Sequence, residues 1–191
     1  MDLYSRDDLN SAYKTLTDGG VILYPTDTIW GLGCDATRSD PVERIFRIKG
    51  RNETKGLIIL VNSYAMLERY VGEVPGMASQ IIEVSDRPMT IVYPRGKNLA
   101  PGVCAEDGSV AVRICTDAFC YELITRFRRP VISTSANFSD EPAPLAFSQI
   151  SREIISKVDY VVRYRQNDPE KGSPSSIIKF ESDGSFKIIR Q

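Results

Sequence analysis

Arg47-Ile48-Lys49-Gly50-Arg51-Asn52-Glu53-Thr54-Lys55 is the stretch on which the reading of this sequence turns. Just upstream, Asp40-Pro41-Val42-Glu43 has the form of a helix start, with Asp40 as N-cap, Pro41 at the first helical position and Glu43 completing a capping box. Val42, Ile45 and Phe46 continue at helical spacing, and Gly50 is placed to stop the helix. Downstream, Leu57-Ile58-Ile59-Leu60-Val61 is an apolar run of strand length. Helix, turn and strand therefore gather Lys49, Arg51 and Lys55 at one turn. A cluster of this kind is either a solvated basic turn or an anion site.

With 191 residues, 42% hydrophobic and 26% charged, the chain reads as one globular domain over residues 1–191, long enough for a full core. The net charge of -1 and a pI of about 5.6 give no global field toward nucleic acid or an anionic membrane. Any RNA contact must come from a local patch. The opening residues Met1 to Asp8 are acidic and lack an apolar segment, which speaks against a signal peptide. No apolar run approaches the roughly 18 residues of a membrane span. A cytoplasmic protein is expected, with no membrane partner. Cys34, Cys104, Cys115 and Cys120 show no C-x-x-C spacing and read as reduced thiols, not as metal ligands or disulfides.

The sequence contains 0 histidines. That removes Ser-His-Asp and Cys-His nucleophile pairs, His-ligated zinc and imidazole acid-base chemistry together. What is left is lysine, arginine, hydroxyls, carboxylates and backbone amides, a set better suited to holding phosphates than to hydrolysing amides.

Ser5, with Asp8 three residues on, starts a first helix whose apolar face is Leu9, Ala12, Tyr13 and Leu16, and Gly19-Gly20 ends it. Val21 to Tyr24 is a buried strand; Pro25 bends the chain, placing Thr26, Asp27 and Thr28 at the strand's carboxyl end. Gly31-Leu32-Gly33 permits close backbone approach or positive φ. It is not a dinucleotide-binding glycine loop, and no Walker motif occurs. Helices are expected from Ser63 and from Pro75 to Val84, and a strand over Met89 to Tyr93. Arg95 to Asp107 is loop, carrying Arg95 and Lys97. Ser109 to Ile114 alternates so that Ser109, Ala111 and Arg113 share a face, where the arginine wants an anionic partner. Thr116 is placed to cap the next helix. Val131-Ile132 runs into Ser133-Thr134-Ser135-Ala136-Asn137, which is either a polar turn or an anion-binding nest. Ser151 to Val158 is helical, Tyr160 to Val162 a strand and Gln166 to Pro174 a connection. Ser176 to Phe180 and Phe186 to Arg190 form a hairpin around Asp183-Gly184. Alternating strands and helices with an antiparallel end predict an α/β (α+β) fold: one mixed sheet flanked by helices.

Tyr24-Pro25-Thr26-Asp27-Thr28-Ile29-Trp30-Gly31-Leu32-Gly33, Lys49-Gly50-Arg51 with Lys55, and Ser133-Thr134-Ser135-Ala136-Asn137 together resemble the YrdC-like family of threonylcarbamoyl-AMP synthases, in its single-domain (TsaC-type) form. Ser109 to Arg113 and Ser175 to Ile178 also fit, so the match follows the chain in order over nearly its whole length. The resemblance implies a twisted mixed α/β sheet around a positive concave cleft. It also implies the joining of L-threonine, bicarbonate and ATP into threonylcarbamoyl-AMP and pyrophosphate, with magnesium accompanying ATP. Other tRNA-modification proteins would consume the product. By resemblance Lys49 and Arg51 are catalytic, holding the triphosphate with Lys55, and Ser109, Ser135, Asn137 and Arg190 contact nucleotide. Thr26, Arg113, Ser133 and Ser175 hold threonine, and no protein side chain binds metal. The chain departs from the family pattern at Ser85-Asp86-Arg87-Pro88, Asn52, Asp140 and Tyr164-Arg165-Gln166. It also ends without the further C-terminal domain of longer members. Two other readings stand beside this one: a non-catalytic module binding tRNA or double-stranded RNA, and a divergent carbamoyl-adenylate paralogue.

Overall fold

The computed structural model describes residues 4–50, 56–168 and 172–191. The predicted helices and strands form, but in two sheets where a single mixed one was expected. One sheet has four strands in the order β7-β2-β1-β8, with β1 Ile22–Tyr24, β2 Gly31–Gly33, β7 Thr134–Ser135 and β8 Tyr160–Val161. The other has six in the order β10-β9-β4-β5-β3-β6: β3 Ile58–Val61, β4 Met89–Tyr93, β5 Val110–Ile114, β6 Val131–Ile132, β9 Ser176–Phe180 and β10 Phe186–Arg190. Both sheets mix parallel and antiparallel pairs.

The reason for two sheets lies in a single residue. Val131 and Ile132 pair with β3, whereas Thr134 and Ser135 pair with β2, so the chain changes sheet at Ser133. The Ser133 amide still donates to Ile58 at 2.8 Å, and the Ile132 amide donates to Cys34 at 2.9 Å, which ties the two sheets together at the corner. The expected close approach at Gly33 occurs here: a Cβ would lie 2.5 Å from the Tyr24 ring and 3.0 Å from the Ile132 carbonyl. No periodicity announces such a corner, because each of the strands it joins is only 2 residues long.

The helices are α1 Arg6–Thr17, α2 Ser39–Lys49, α3 Tyr64–Leu67, α4 Gly76–Val84, α5 Ala118–Phe127 and α6 Arg152–Ser156. Gly50 ends α2 in the left-handed conformation, φ 60, as its position predicted. Two start signals resolve differently. α2 begins after Arg38, and Asp40 pairs with that arginine at 2.7 Å instead of capping. α5 is capped by Asp117, whose side chain accepts from the Cys120 amide, and not by Thr116. α1 packs against α5, β1 and β8. None of the helices among the described residues is long and apolar enough to cross a membrane.

Asp8 is also put to a different use from the expected capping box. It is 2% exposed, and its carboxylate accepts the Tyr160 hydroxyl at 2.7 Å, the Arg163 amide at 3.0 Å and the Tyr164 amide at 2.8 Å. One buried anion thus anchors the chain where it leaves β8. Asp8→Ala strands these donors and should lower stability by about 2–3 kcal/mol, with Asp8→Asn, which keeps one acceptor oxygen, falling between. A urea titration showing an unchanged midpoint for Asp8→Ala would contradict this.

Candidate functional site

A cleft of about 590 Å³ opens on one face of the six-stranded sheet. Its size is that of a small-molecule site. Strand register builds its floor: Ile58 pairs with Ala111, Ala111 with Val92 and Val92 with Lys179, and all of these line it. Side chains two apart on a strand share a face, so Ser109 and Arg113 join Ala111 there, as the alternation predicted.

Arg113 is 3% exposed and makes the floor cationic. Its Nε lies 3.2 Å from Asp27 Oδ1, yet neither atom has an aligned hydrogen bond, so this is a charge contact of poor geometry. Arg113 Nη2 donates to the Thr26 hydroxyl at 3.4 Å. The Thr26 hydroxyl is otherwise engaged locally, donating to the Ile29 carbonyl at 2.8 Å and meeting the Thr28 hydroxyl at 2.9 Å. Thr26 therefore stands behind Arg113 and does not line the cleft, where Thr28 and Trp30 do.

One wall is the turn at the sheet corner. Ser133, Thr134 and Ser135 line the cleft; Asn137 does not. The backbone amides do not form the nest considered above. The Ser133 amide donates to Ile58, that of Ala136 to Trp30 and that of Asn137 to Ser135, so the turn presents hydroxyls instead. Asn137 uses its side-chain amide to bind Phe138 O at 2.9 Å and Glu141 O at 2.6 Å. Lys49 lies beneath this turn, 3% exposed and absent from the cleft lining. Its Nζ donates to Ser135 O at 2.6 Å, Asn137 O at 2.8 Å and Asn137 Oδ1 at 3.4 Å. The lysine expected at a basic turn is a support for the hydroxyl turn. Arg51 and Lys55 lie outside the described residues.

The opposite wall is the terminal hairpin. Ser175 is buried, with its hydroxyl 2.8 Å from that of Thr90. Arg190 Nε donates to Ser175 O at 2.8 Å, and Nη2 to Ser175 Oγ at 3.4 Å. Partial desolvation against Ser175, and then the charge of Arg113, pull the Arg190 pKa below that of an ordinary guanidinium, although the residue as a whole is exposed. Two guanidiniums thus share one cleft, and Arg190 has no carboxylate partner among the described residues. At the rim Lys179 donates to Asp107 at 2.8 Å. That ammonium, then the Ser109 hydroxyl and amide, hold the Asp107 carboxyl far below the usual carboxylate range.

Of the residues expected at the site, the cleft gathers Ser109, Arg113, Ser133, Ser135, Ser175 and Arg190. The sequence reading missed Lys179, although a lysine inside the apolar run Ile177 to Phe180 was a usable signal. Asp107 and Thr90 carried none. Asp107 is the one acidic residue lining the cleft among the described residues, and it is engaged by Lys179. Thiol chemistry is equally poorly served: burial pushes Cys115 up to about 12, and Cys34 and Cys120 well above the usual thiol value.

The Lys49 geometry is testable without a ligand. Lys49→Ala leaves buried carbonyls unpaired and should remove about 2–3 kcal/mol, a fall in Tm of roughly 4–12 °C for a chain of this size. A lysine serving only as a ligand contact would leave unliganded melting unchanged.

The sequence model of the Sua5/YciO/YrdC family, described as telomere recombination, matches residues 14–191. A protein of Psychromonas ingrahamii named threonylcarbamoyl-AMP synthase is 35% identical over 153 residues, 78% of this chain and 80% of that protein. One of the same name from Xanthomonas euvesicatoria is 31% identical over 186 residues, 96% of this chain and 97% of its own length. Among solved structures, Sua5 of P. abyssi complexed with L-threonine superposes with a TM-score of 0.79 at 26% identity, covering 90% of this chain. This chain spans half of that Sua5, 50% of its length. YciO of E. coli superposes at 0.84 over 98% of this chain and 90% of that one, with 20% identity, a likeness of fold. Matched by the family model over residues 14–191 and by relatives above 30% identity along most of its length, the chain belongs to the Sua5/YciO/YrdC family.

Proposed function

We propose that this chain is a threonylcarbamoyl-AMP synthase, an enzyme of the nucleotidyltransferase class that makes threonylcarbamoyl-AMP and pyrophosphate from L-threonine, bicarbonate and ATP. The observation that carries the reading is the pair Arg113 and Arg190, two guanidiniums lining one cleft of about 590 Å³. Like charges held together call for anions between them, and the proposed reaction brings two: an amino-acid carboxylate and a nucleotide phosphate. The relatives' shared name and the threonine bound by Sua5 support the assignment.

In this reading bicarbonate first adds to the threonine amine, losing water to give a carbamate. A carbamate oxygen then attacks the α-phosphorus of ATP as the bond to pyrophosphate breaks. The attacking oxygen already carries charge, so no protein nucleophile or imidazole is needed. What the protein must supply is alignment and neutralisation of charge on the leaving pyrophosphate. Arg113 takes the threonine carboxylate, with Ser133 and Ser175 as hydroxyl partners and Thr26 behind. Arg190, Ser109 and Ser135 take nucleotide, and Arg51 and Lys55 the triphosphate. Lys49 and Asn137 contribute through the turn they hold. Magnesium accompanying ATP would supply further neutralisation of the phosphate charge, with no side chain of the described cleft needed to hold it. The product passes to other tRNA-modification proteins.

Pyrophosphate release should require ATP, threonine and bicarbonate together. Arg113→Lys, which keeps the charge and loses the fork, should raise the threonine KM at least about tenfold, and Arg51→Ala should lower turnover by a similar factor. Salt-sensitive binding of tRNA or double-stranded RNA by a protein indifferent to threonine would replace this reading with an RNA-binding module. Activity confined to another carbamoyl-adenylate would make it a divergent paralogue.

A further inference from the structure

Arg165 holds a backbone conformation that glycine adopts freely and side-chain-bearing residues avoid, with φ 63. Its guanidinium compensates with contacts converging on one place. Nη1 donates to the Thr26 carbonyl at 3.1 Å and lies 3.5 Å from Asp117 Oδ2, and Nε donates to Asp168 Oδ2 at 2.9 Å. Asp117 is the cap of α5, so Arg165 ties the Thr26 carbonyl to the start of that helix. The neighbouring contacts reinforce the same segment. The Cys120 thiol meets the Pro25 carbonyl at 3.2 Å, and the Thr116 amide and hydroxyl donate to Asp27 Oδ2 at 3.3 and 3.4 Å.

The consequence reaches Arg113. Its charge contact with Asp27 lacks an aligned hydrogen bond. Such a pair does not set its own geometry; the backbone that carries Asp27 and Thr26 sets it. Whatever fixes residues 26 and 27 therefore fixes the guanidinium that faces the cleft. We propose that Arg165 is a positioning residue for the amino-acid half of the site, holding the Thr26–Asp27 segment so that Arg113 meets the substrate carboxylate. This rests on the functional reading above. Arg165 touches neither the hairpin wall nor Arg190 among the contacts described, so its influence falls on the amino acid and not on the nucleotide.

The test uses the full chain and isothermal titration calorimetry with L-threonine and, separately, with magnesium-ATP. Arg165→Gly is the informative variant, because it removes the guanidinium while suiting the backbone conformation better than arginine does. It should melt within about 2 °C of the parent, bind threonine at least about tenfold more weakly and bind ATP within about twofold of the parent. Arg165→Lys should recover part of the threonine affinity, since an ammonium reaches one acceptor of the set. Threonine affinity in Arg165→Gly within twofold of the parent overturns the inference. Equal losses for threonine and ATP, or a loss that only tracks a lowered Tm, overturn it too, since they mark a merely structural arginine. A parent chain that binds ATP but no threonine fails the functional reading itself, and this inference with it.

Discussion

Taking an ammonium out of water costs several kcal/mol even after the protein relaxes around it. Lys49, 3% exposed, is tolerable because its donors meet Ser135 O, Asn137 O and Asn137 Oδ1. That requirement runs both ways. The turn from Ser133 to Asn137 must keep the Ser135 and Asn137 carbonyls on the lysine, while its residues Ser133, Thr134 and Ser135 line the cleft. The same turn donates the Ser133 amide to β3, which is paired directly with β5 and its Arg113. The end of α2, the hydroxyl wall and the cationic floor are thereby coupled through one buried charge. The Ser139 amide and hydroxyl, both bonded to the Lys49 carbonyl at 3.0 and 3.1 Å, close the connection from the far side.

Much of this was readable in advance, for identifiable reasons. Period-two alternation placed Ser109, Ala111 and Arg113 on one face, and the sheet could satisfy that pattern only by turning the face toward the cleft. Gly50 behaved as the stop because a left-handed residue is needed there whatever the tertiary context. The failures share a cause as well. Asp8, Asp40 and Thr116 each stood at a position with a local capping use, and long-range or neighbouring partners took precedence: Asp8 binds residues more than 150 positions away. The burial of Lys49 was invisible because its acceptors come from a turn over 80 residues distant. The sheet change at Ser133 was equally hidden, since two-residue strands carry no period.

The two walls of the cleft differ in how they are held, and this bears on how they act. The corner wall is fixed by buried interactions between elements: Lys49 under the turn, and the Ser133 amide on β3. The hairpin wall is an edge. β10 is exposed along its length, with Ile188 and Ile189 more than half exposed, and its grip on the cleft runs through Arg190 to Ser175 and Thr90. A cleft so built has one wall locked by buried contacts and another carried on an edge strand, paired with β9 and tied across by Arg190.

That asymmetry suits chemistry that works by alignment. Around Arg113 the floor is lined by Ile58, Ala111, Val92 and Ile177, and charges beside such an apolar surface interact more strongly than in water. Arg113 and Arg190 therefore add to one positive field, and after desolvation the charge of Arg113 contributes to the lowered pKa of Arg190. An anion bound in the cleft is stabilised by the positive charge of both arginines. A cleft of this kind holds negatively charged groups in alignment by electrostatics that need neither a histidine nor a protein nucleophile.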